Sequence, residues 1–475
     1  MNFSLPQSLL ARTLLTASTL LLASSALASD RPNILFIVSD DHGWGDLPLN
    51  WDDTEAQMPR LASLATGGVR FTNYHTVPLC GPSRACMFTG QYSSENGMWR
   101  GPGSQELGSS GYRGIKRNVK VLPEYLSEAG YHTGAFGKWH MGELPGEVPN
   151  DRGFDEFRGF LKGAHPYWIT RHKSKMIHND VPDPSEGHAT ELFTQWAEDF
   201  IRENAGKDDP FFCYLAYNAV HGPLRTDESK PASAPKAWVN KVLDRGVSFL
   251  RSDYVAILEH MDFNIGKLID LLDELGIADN TLIIFVSDNG ACSMTDDTSG
   301  TFPGNVGPFQ GGKGTTYQGG LAVPFLVNWK GQIPERTVSE ANVMHTDIFG
   351  TLLDAARIPL PEMNGKNPVR GLSLVPHMIS AGKKEIPERT MIFELVGSIG
   401  LRRGDHKLWA KLKSNRGDWD AHVAELKQTD LALFDLSQDV GEQNDLRKQL
   451  PEVYTVLKSE LIDYFSQINA EYPIP

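Results

Sequence analysis

Two short apolar runs, each ending in a Ser-Asp pair, constrain the fold of this chain more than any other sequence feature. The first covers residues 33–38 and the second covers residues 281–286, and both are rich in branched side chains. Continuous runs of this length are typical of strands buried on both faces, as in parallel sheets covered by helices. Because open α/β sheets bind ligands beyond the carboxyl ends of their strands, we expect the two polar endings to meet at that edge.

Four oxygen-bearing side chains follow these runs: Asp40 and Asp41 after the first, and Asp288 and Asn289 after the second. Adjacent carboxylates repel each other and need a cation or a proton between them. Carboxylate and amide oxygens suit a hard cation such as Ca²⁺ or Mg²⁺, whereas a Zn²⁺ site would use His or Cys. The four residues are therefore the predicted metal ligands, although the first pair alone would also fit a solvated turn.

A cysteine lies at a predicted helix start between these two strands. Cys80 precedes Pro82 by two residues, and Arg84 follows one turn later. Proline suits the first turn of a helix, so Cys80 would lie beside free backbone N–H groups and the positive end of the helix dipole. That position favours an anion and a reactive residue. The alternative is an ordinary helix that begins with a buried cysteine.

Lys138 and His140 follow another predicted strand, residues 131–136. Two residues apart on an extended segment, they would point to the same side. A lysine can hold an oxyanion and a neutral histidine can move a proton, so the pair fits a catalytic site. An ordinary surface Lys-x-His sequence is the alternative.

Two further basic residues occupy comparable places. His221 follows the predicted strand at residues 211–217, which would bring it to the same sheet edge as Asp40. Lys313 lies in a Gly-rich turn at residues 311–320. This turn lacks the Walker spacing and so does not predict a nucleotide site.

Several of these segments resemble motifs of the formylglycine-dependent sulfatases. Residues 80–90 resemble Cys-x-Pro-Ser-Arg-x-x-x-x-Thr-Gly, and residues 137–142 resemble Gly-Lys-Trp-His-x-Gly. His221 resembles the family's histidine before proline, and residues 313–320 resemble Lys-x-x-x-x-Glu-Gly-Gly. The chain departs from the family's usual arginine, glutamate and proline at Gln91, Gln318 and Val440. The resemblance runs from about residue 31 to the C-terminus. It implies an alkaline-phosphatase-like α/β fold with a smaller α+β C-terminal subdomain.

The resemblance also implies a chemistry. Cys80 would be oxidised to formylglycine by a formylglycine-generating enzyme, and its hydrate would attack the sulfur of a sulfate ester. The four predicted metal ligands would hold one Ca²⁺, with Mg²⁺ less favoured, and Asp288 would accept the proton of the attacking hydroxyl. His221 or Lys313 would protonate the leaving alcohol, and His140 would take the proton of the second hydroxyl. The residues that supply positive charge to the sulfate would be Arg84, Lys138 and Lys313.

The chain divides into three predicted parts. Residues 1–28 are typical of a secretory signal peptide, with one charge, a short apolar run and Ala-Leu-Ala before the cleavage site. The run is shorter than the roughly 20 residues of a membrane span, so we expect an exported, periplasmic or secreted protein, with a membrane anchor as the alternative. Residues 29–375 would form the catalytic domain. Short runs with tight turns then predict antiparallel strands, so residues 376–475 would form the C-terminal subdomain.

The formal net charge of -14 argues against unspecific nucleic-acid binding, although a local basic pocket can still bind an anionic substrate. Residues 153–175 mix aromatic and basic side chains, which suits a sulfated carbohydrate such as an algal galactan (carrageenan) or a glycosaminoglycan. Three alternatives remain: a phosphatase or phosphodiesterase on the same scaffold, a non-catalytic sugar-binding protein, and an adhesion module. The Cys80 motif and the lack of a His-rich second metal site disfavour the first. The intact basic residues disfavour the second, and the lack of repeats disfavours the third.

Overall fold

The computed structural model describes residues 31–99, 114–170, 175–222, 224, 231–292, 295–296, 300–301, 304–361, 368–395, 397–413 and 419–471. The predicted signal peptide and residues 171–174 of the aromatic and basic loop lie outside these ranges. Within them, no helix is both long enough and apolar enough to cross a lipid bilayer.

The α-helices of the described ranges are α1 (Pro59–Thr66), α2 (Cys80–Thr89), α3 (Ser93–Asn96), α4 (Leu122–Glu128), α5 (Ala189–Asn204), α6 (Lys236–Leu243), α7 (Phe249–Glu274), α8 (Gln318–Leu321), α9 (Asp347–Ala355), α10 (Val375–Ile379), α11 (Trp419–Gln428) and α12 (Pro451–Glu471). Short 3-10 helices cover Trp44–Asp46, Pro149–Arg152 and Ala278–Asn280.

The strands are β1 (Asn33–Ser39), β2 (Val69–Phe71), β3 (Tyr74–His75), β4 (His132–Lys138), β5 (Glu156–Phe160), β6 (Trp168–Ile169), β7 (Ile177–His178), β8 (Val181–Pro182), β9 (Gly187–His188), β10 (Phe211–Ala216), β11 (Thr281–Ser287), β12 (Thr295–Asp296), β13 (Gly300–Thr301), β14 (Phe325–Trp329), β15 (Thr337–Ser339), β16 (Val343–Met344), β17 (Thr390–Leu395), β18 (Ser398–Arg403), β19 (His406–Lys411) and β20 (Ala432–Asp435).

Ten strands form the main sheet in the order β15-β2-β14-β11-β1-β10-β4-β5-β7-β8. The five central strands β11, β1, β10, β4 and β5 are parallel, and β14 runs antiparallel to β11. In β1, Val38 lies opposite both Ala216 of β10 and Val286 of β11. The carboxyl ends of these strands therefore meet at one edge, as the two Ser-Asp endings predict.

The central strands are buried on both faces, which explains their continuous apolar sequence. Ile34, Phe36 and Val38 of β1 contribute to one hydrophobic core, whereas Leu35 and Ile37 contribute to another on the opposite face. This alternation follows from the two-residue period of a strand. Helices α5 and α7 pack against the second core.

A second, smaller sheet follows along the chain. Strands β17 to β20 are antiparallel neighbours in sequence order, and α12 packs against them around a separate hydrophobic core. The expected α/β fold with a smaller antiparallel C-terminal sheet is confirmed. The aromatic and basic segment at residues 153–175 contains β5 and β6.

Candidate active site

The four predicted metal ligands meet at the carboxyl ends of β1 and β11. Their side chains are buried, with relative exposures between 0% and 3%. The Asp41 amide donates to Asp288 Oδ1 over 3.3 Å, and Asn289 Nδ2 donates to Asp41 Oδ1 over 2.7 Å. Three carboxylates in one buried cluster require compensating positive charge.

Three basic side chains supply that charge, one to each carboxylate. Lys138 Nζ donates to Asp40 Oδ2 over 2.5 Å. Lys313 Nζ lies 2.7 Å from Asp41 Oδ1 and 2.8 Å from Asp41 Oδ2. Arg84 pairs with Asp288. Its Nε donates to Asp288 Oδ2 over 2.8 Å, and a terminal guanidinium nitrogen lies 2.7 Å from the same oxygen.

These pairs shift the protonation equilibria of the cluster. Burial alone would raise the pKa of Asp41, but the charges of Lys313 and His221 hold that pKa well below its usual range. Burial alone would lower the pKa of Lys313, and Asp41 raises it overall. For Asp288, burial and a neighbouring carboxylate raise the pKa despite the adjacent guanidinium. The pairing thus keeps Arg84 and Lys313 charged, and it places three basic side chains at one point of the sheet edge.

Within the part of the chain that the structure describes, two buried oxygens of this cluster have no hydrogen-bond partner, Asp40 Oδ1 and Asn289 Oδ1. Native structures rarely leave buried acceptors unpaired, so such atoms indicate a missing ligand. Two overlapping groups of ligand atoms lie within 4.8 Å of one another: Asp40 with Asp41 and His221, and Asp40 with Cys80 and Asp288. The donors fit one hard, oxygen-binding cation.

Cys80 is the first residue of α2, as the position of Pro82 predicts. Cys80 is 6% exposed, and its Sγ lies 3.2 Å from His140 Nδ1. Leu79, which precedes the helix, is extended. The thiol therefore lies at a helix N-terminus and beside an imidazole, the environment expected for a reactive position.

His140 reaches Cys80 by a backbone geometry different from the one expected. Lys138 ends β4, but His140 is in the left-handed region with φ 57°, so the segment between them is not extended. Both side chains still face the carboxylate cluster. Burial, Lys138 and Arg84 lower the pKa of His140 well below its usual value, so its ring is neutral and can accept a proton.

His221 lies at the rim of the cluster. Its side chain is 22% exposed, and Nε2 lies 3.9 Å from Asp41 Oδ2. The hydroxyl of Tyr167 is 3.0 Å from the carbonyl oxygens of both Asn218 and His221, which fixes this segment. Partial exposure allows His221 to meet a group that enters from solvent.

Several supporting residues were not predicted from the sequence. Tyr214 accepts from Arg84 Nη1 at its hydroxyl over 3.1 Å, and Thr76 Oγ1 donates to the Asp288 carbonyl over 2.8 Å. Gly163 packs against the His140 ring so closely that a Cβ there would lie 2.6 Å from Nε2. Tyr214 could have been found from the sequence, because its hydroxyl is a polar group within the apolar run of β10. Neither Thr76 nor Gly163 carries a comparable one.

A buried cation-binding cluster, three basic side chains and a thiol at a helix N-terminus can together bind a tetrahedral anion and place a nucleophile against it. The Sulfatase family model matches residues 32–358, more than half of the chain. The chain belongs to the sulfatase family. It is a sulfuric ester hydrolase, and the expected enzyme class is confirmed.

Individual relatives are similar to this sulfatase along most of their length. N-acetylgalactosamine-6-sulfatase of Mus musculus is 32% identical over 398 residues, which cover 78% of this chain and 72% of the relative. Arylsulfatase A of Bos taurus is 29% identical and covers 92% and 87%, respectively. The crystal structure of Ps i-CgsB in complex with k-i-k-neocarrahexaose has a TM-score of 0.77 at 27% identity, and covers 93% of this chain and 94% of that one.

Proposed function

We propose that this sulfatase removes sulfate from a sulfated carbohydrate and that Cys80, after conversion to formylglycine, carries the nucleophile. The observation that supports this most directly is the position of Cys80. It begins α2, its Sγ lies 3.2 Å from His140, and it shares a group of potential ligand atoms with Asp40 and Asp288. A nucleophile there stands beside the cation site and the basic side chains.

The metal in this proposal is one Ca²⁺, held by Asp40, Asp41, Asp288 and Asn289, with Mg²⁺ less favoured. The unpaired oxygens of Asp40 and Asn289 support a cation that takes oxygen ligands. When bound, such a cation withdraws electron density from a sulfate oxygen and from the nucleophile.

The protein's own side chains divide the remaining work. Arg84, Lys138 and Lys313 stabilise negative charge as it builds up on the sulfate oxygens. His140 is neutral, so it can take a proton from the group at position 80. His221 or Lys313 protonates the departing alcohol, and Asp288 accepts the proton of the attacking hydroxyl.

Sulfated sugars are the proposed substrates for two reasons. One relative acts, by its name, on N-acetylgalactosamine 6-sulfate, and one similar structure holds a neocarrahexaose. In addition, the half-exposed Trp168 offers an aromatic face next to Tyr167, whose hydroxyl contacts the His221 carbonyl at the rim of the site. Export through residues 1–28 and maturation by a formylglycine-generating enzyme complete the proposal.

The nucleophile is tested by comparing two cysteine variants from the same helix. Cys80→Ala should abolish sulfate release, while Cys86→Ala should retain it, because Cys86 is fully buried and lies two turns away. Each protein is co-produced with a formylglycine-generating enzyme and assayed on sulfated oligosaccharides and aryl esters for sulfate and phosphate.

Mass spectrometry of the peptide that contains residue 80 reports the conversion independently. Sulfate release by Cys80→Ala at the parent's rate would overturn the nucleophile assignment. Phosphate release that survives in Cys80→Ala would assign the protein to the phosphatase branch instead.

The metal is tested by calcium titration after chelation. Ca²⁺ should raise the melting temperature and restore activity, because a ligand at 100 times its Kd stabilises the folded state by about 2.7 kcal/mol. Asp288→Asn should lose this response, and Asp180→Asn, an exposed carboxylate in a turn, should keep it. An unchanged response in Asp288→Asn would contradict the ligand assignment.

A further inference from the structure

We propose that the small C-terminal sheet positions Lys313, and that Glu442 and Trp409 are the positioning residues. The segment they act on is residues 311–320, which we call the Lys313 loop. The kinetic part of this inference rests on the proposed function, whereas the structural part does not.

Glu442 connects the C-terminal part of the chain to the end of the Lys313 loop. Its Oε2 accepts from the Gln318 amide over 2.6 Å, and its Oε1 accepts from Lys407 Nζ over 2.6 Å. Glu442 is 3% exposed, and the Lys407 side chain is fully buried. A buried carboxylate with a buried ammonium and a backbone N–H is strongly fixed, because loss of either partner leaves an unpaired polar group.

The backbone of Glu442 supports the same conclusion. It is in the left-handed region with φ 53°, which side chains other than glycine adopt at a cost. Such a conformation persists where the surrounding contacts determine it. Here the contacts are those to Gln318 and Lys407.

Two more contacts fix the same short segment. The ring of Tyr317 stacks on Trp409 of β19, with centroids 4.2 Å apart and an interplanar angle of 19°. One residue earlier, Thr316 Oγ1 lies 2.6 Å from Ser398 Oγ of β18. Three successive loop residues are therefore held by the C-terminal sheet and the loop that follows it.

The other end of the Lys313 loop is attached to the site. The Lys313 amide donates to the Ala291 carbonyl over 2.9 Å, and the Gly314 amide donates to the Pro78 carbonyl over 2.9 Å. Pro78 lies two residues before Cys80. Gly311 and Gly314 have positive φ, so the loop has little conformational preference of its own.

Lys313 thus lies between two fixed points of the loop. The first is the contact with Pro78 near Cys80, and the second is the contact with the C-terminal sheet, which begins at Thr316, three residues after Lys313. Release of the second anchor would let the Lys313 ammonium move away from Asp41. A displacement of about 1 Å in a catalytic group can lower a rate about 100-fold. The C-terminal sheet is then part of the catalytic apparatus and not only a stabilising attachment.

The test is a double-mutant cycle on the full chain. Glu442→Gln and Trp409→Leu are each made in the parent and in a Lys313→Ala background, and kcat and KM are measured on an aryl sulfate. The control is Glu394→Gln, another buried carboxylate of the C-terminal sheet, which accepts from Ser93 and Ser94 instead of the Lys313 loop. Hydrogen–deuterium exchange is followed on the peptide that spans residues 311–320.

We expect both substitutions to lower kcat/KM about tenfold or more in the parent and to have no further effect in Lys313→Ala, since coupled residues are not additive. Exchange in the Lys313 loop should rise in both variants and not in Glu394→Gln. Additive losses in the Lys313→Ala background would overturn the positioning role. Unchanged exchange in both variants would show that Glu442 and Trp409 do not hold the Lys313 loop. This readout needs no sulfatase activity, so it applies even if the proposed function has failed.

Discussion

Gly163 lies against the ring of His140 in the turn that follows β5. A Cβ at this position would lie 2.6 Å from Nε2 and 2.7 Å from Cε1, closer than real contacts allow. Gly163→Ala should therefore push the imidazole away from position 80 and lower kcat about 100-fold, with a smaller change in KM. Steady-state kinetics on an aryl sulfate measures both constants.

The matched control for Gly163→Ala is Gly206→Ala, where a Cβ meets no atom within 4 Å and φ is not positive. This variant should keep the parent's kinetics. Equal kcat values in the two variants would contradict the assignment of the Gly163 contact to the placement of His140.

The sequence motifs identified the charged residues of the site but not those that orient them. Asp40, Asp288 and Lys138 follow apolar strands, so strand ends alone bring them together. Gly163 and Tyr167 act through contacts with distant segments, and no local pattern marks such contacts. The left-handed backbone of His140 was missed for the same reason, because the turn after β5 determines it: the His140 amide donates to the Leu161 carbonyl over 3.0 Å.

At the scale of elements, α7 is buried on all sides over residues 252–262 and is exposed near its start. Leu258 is fully buried, whereas Leu250 in the same helix is 50% exposed. Leu258→Ala should lower the free energy of unfolding by about 2–5 kcal/mol because it removes buried methyl groups and leaves a cavity. Urea denaturation followed by circular dichroism measures the loss.

Leu250→Ala makes the same chemical change at an exposed position and should stay within about 0.5 kcal/mol of the parent. The two variants should have equal kcat, since neither residue contacts the site. A loss for Leu250→Ala as large as that for Leu258→Ala would contradict the packing of this helix.

Sequence periodicity predicted α7 and the two central strands, but it was overlooked in α5 and carries no information on strand direction. Apolar residues at steps of three and four predict a helix over residues 252–275, which is α7. The strands predicted at 33–38 and 281–286 are each one residue longer. By contrast, α5 was not predicted, although Phe193, Ala197 and Phe200 carry its helical spacing. The antiparallel direction of β14 is fixed by its neighbours in the sheet and not by its own residues.

At the scale of the whole molecule, an acidic total charge accompanies a site in which three cations pair with three carboxylates. The formal net charge is -14, yet three cations are concentrated around one carboxylate cluster. The acidic surface would repel a polyanion at long range, so productive binding depends on short-range contacts at the site.

The predicted domain boundary near residue 375 remains a proposal, and the contacts of Glu442 and Trp409 indicate that the two parts act together.

Buried histidines should make the whole fold sensitive to acid. Burial lowers the pKa of His345 to about 3 and that of His422 to about 4, while an unfolded histidine titrates near 6.5. The unfolded state therefore binds more protons between these values, and stability that is complete above pH 6.5 falls as the pH drops toward 4. The raised pKa values of Glu95, about 7, and Asp262, about 6, act in the opposite direction and offset part of this loss.

His422 isolates this effect because it lies far from the site. Its ring contacts Phe465 and Trp419, and its buried Nε2 has no hydrogen-bond partner among the described residues. His422→Leu should have the parent's free energy of unfolding at pH 7. Between pH 7 and pH 5 its free energy of unfolding should fall by about 1–2 kcal/mol less than that of the parent, because the variant lacks the titrating ring. Urea unfolding at each pH measures both values. Parallel pH profiles for the two proteins would mean that the ring has the same pKa in the folded and the unfolded state, and the apolar environment assigned to it would then be wrong.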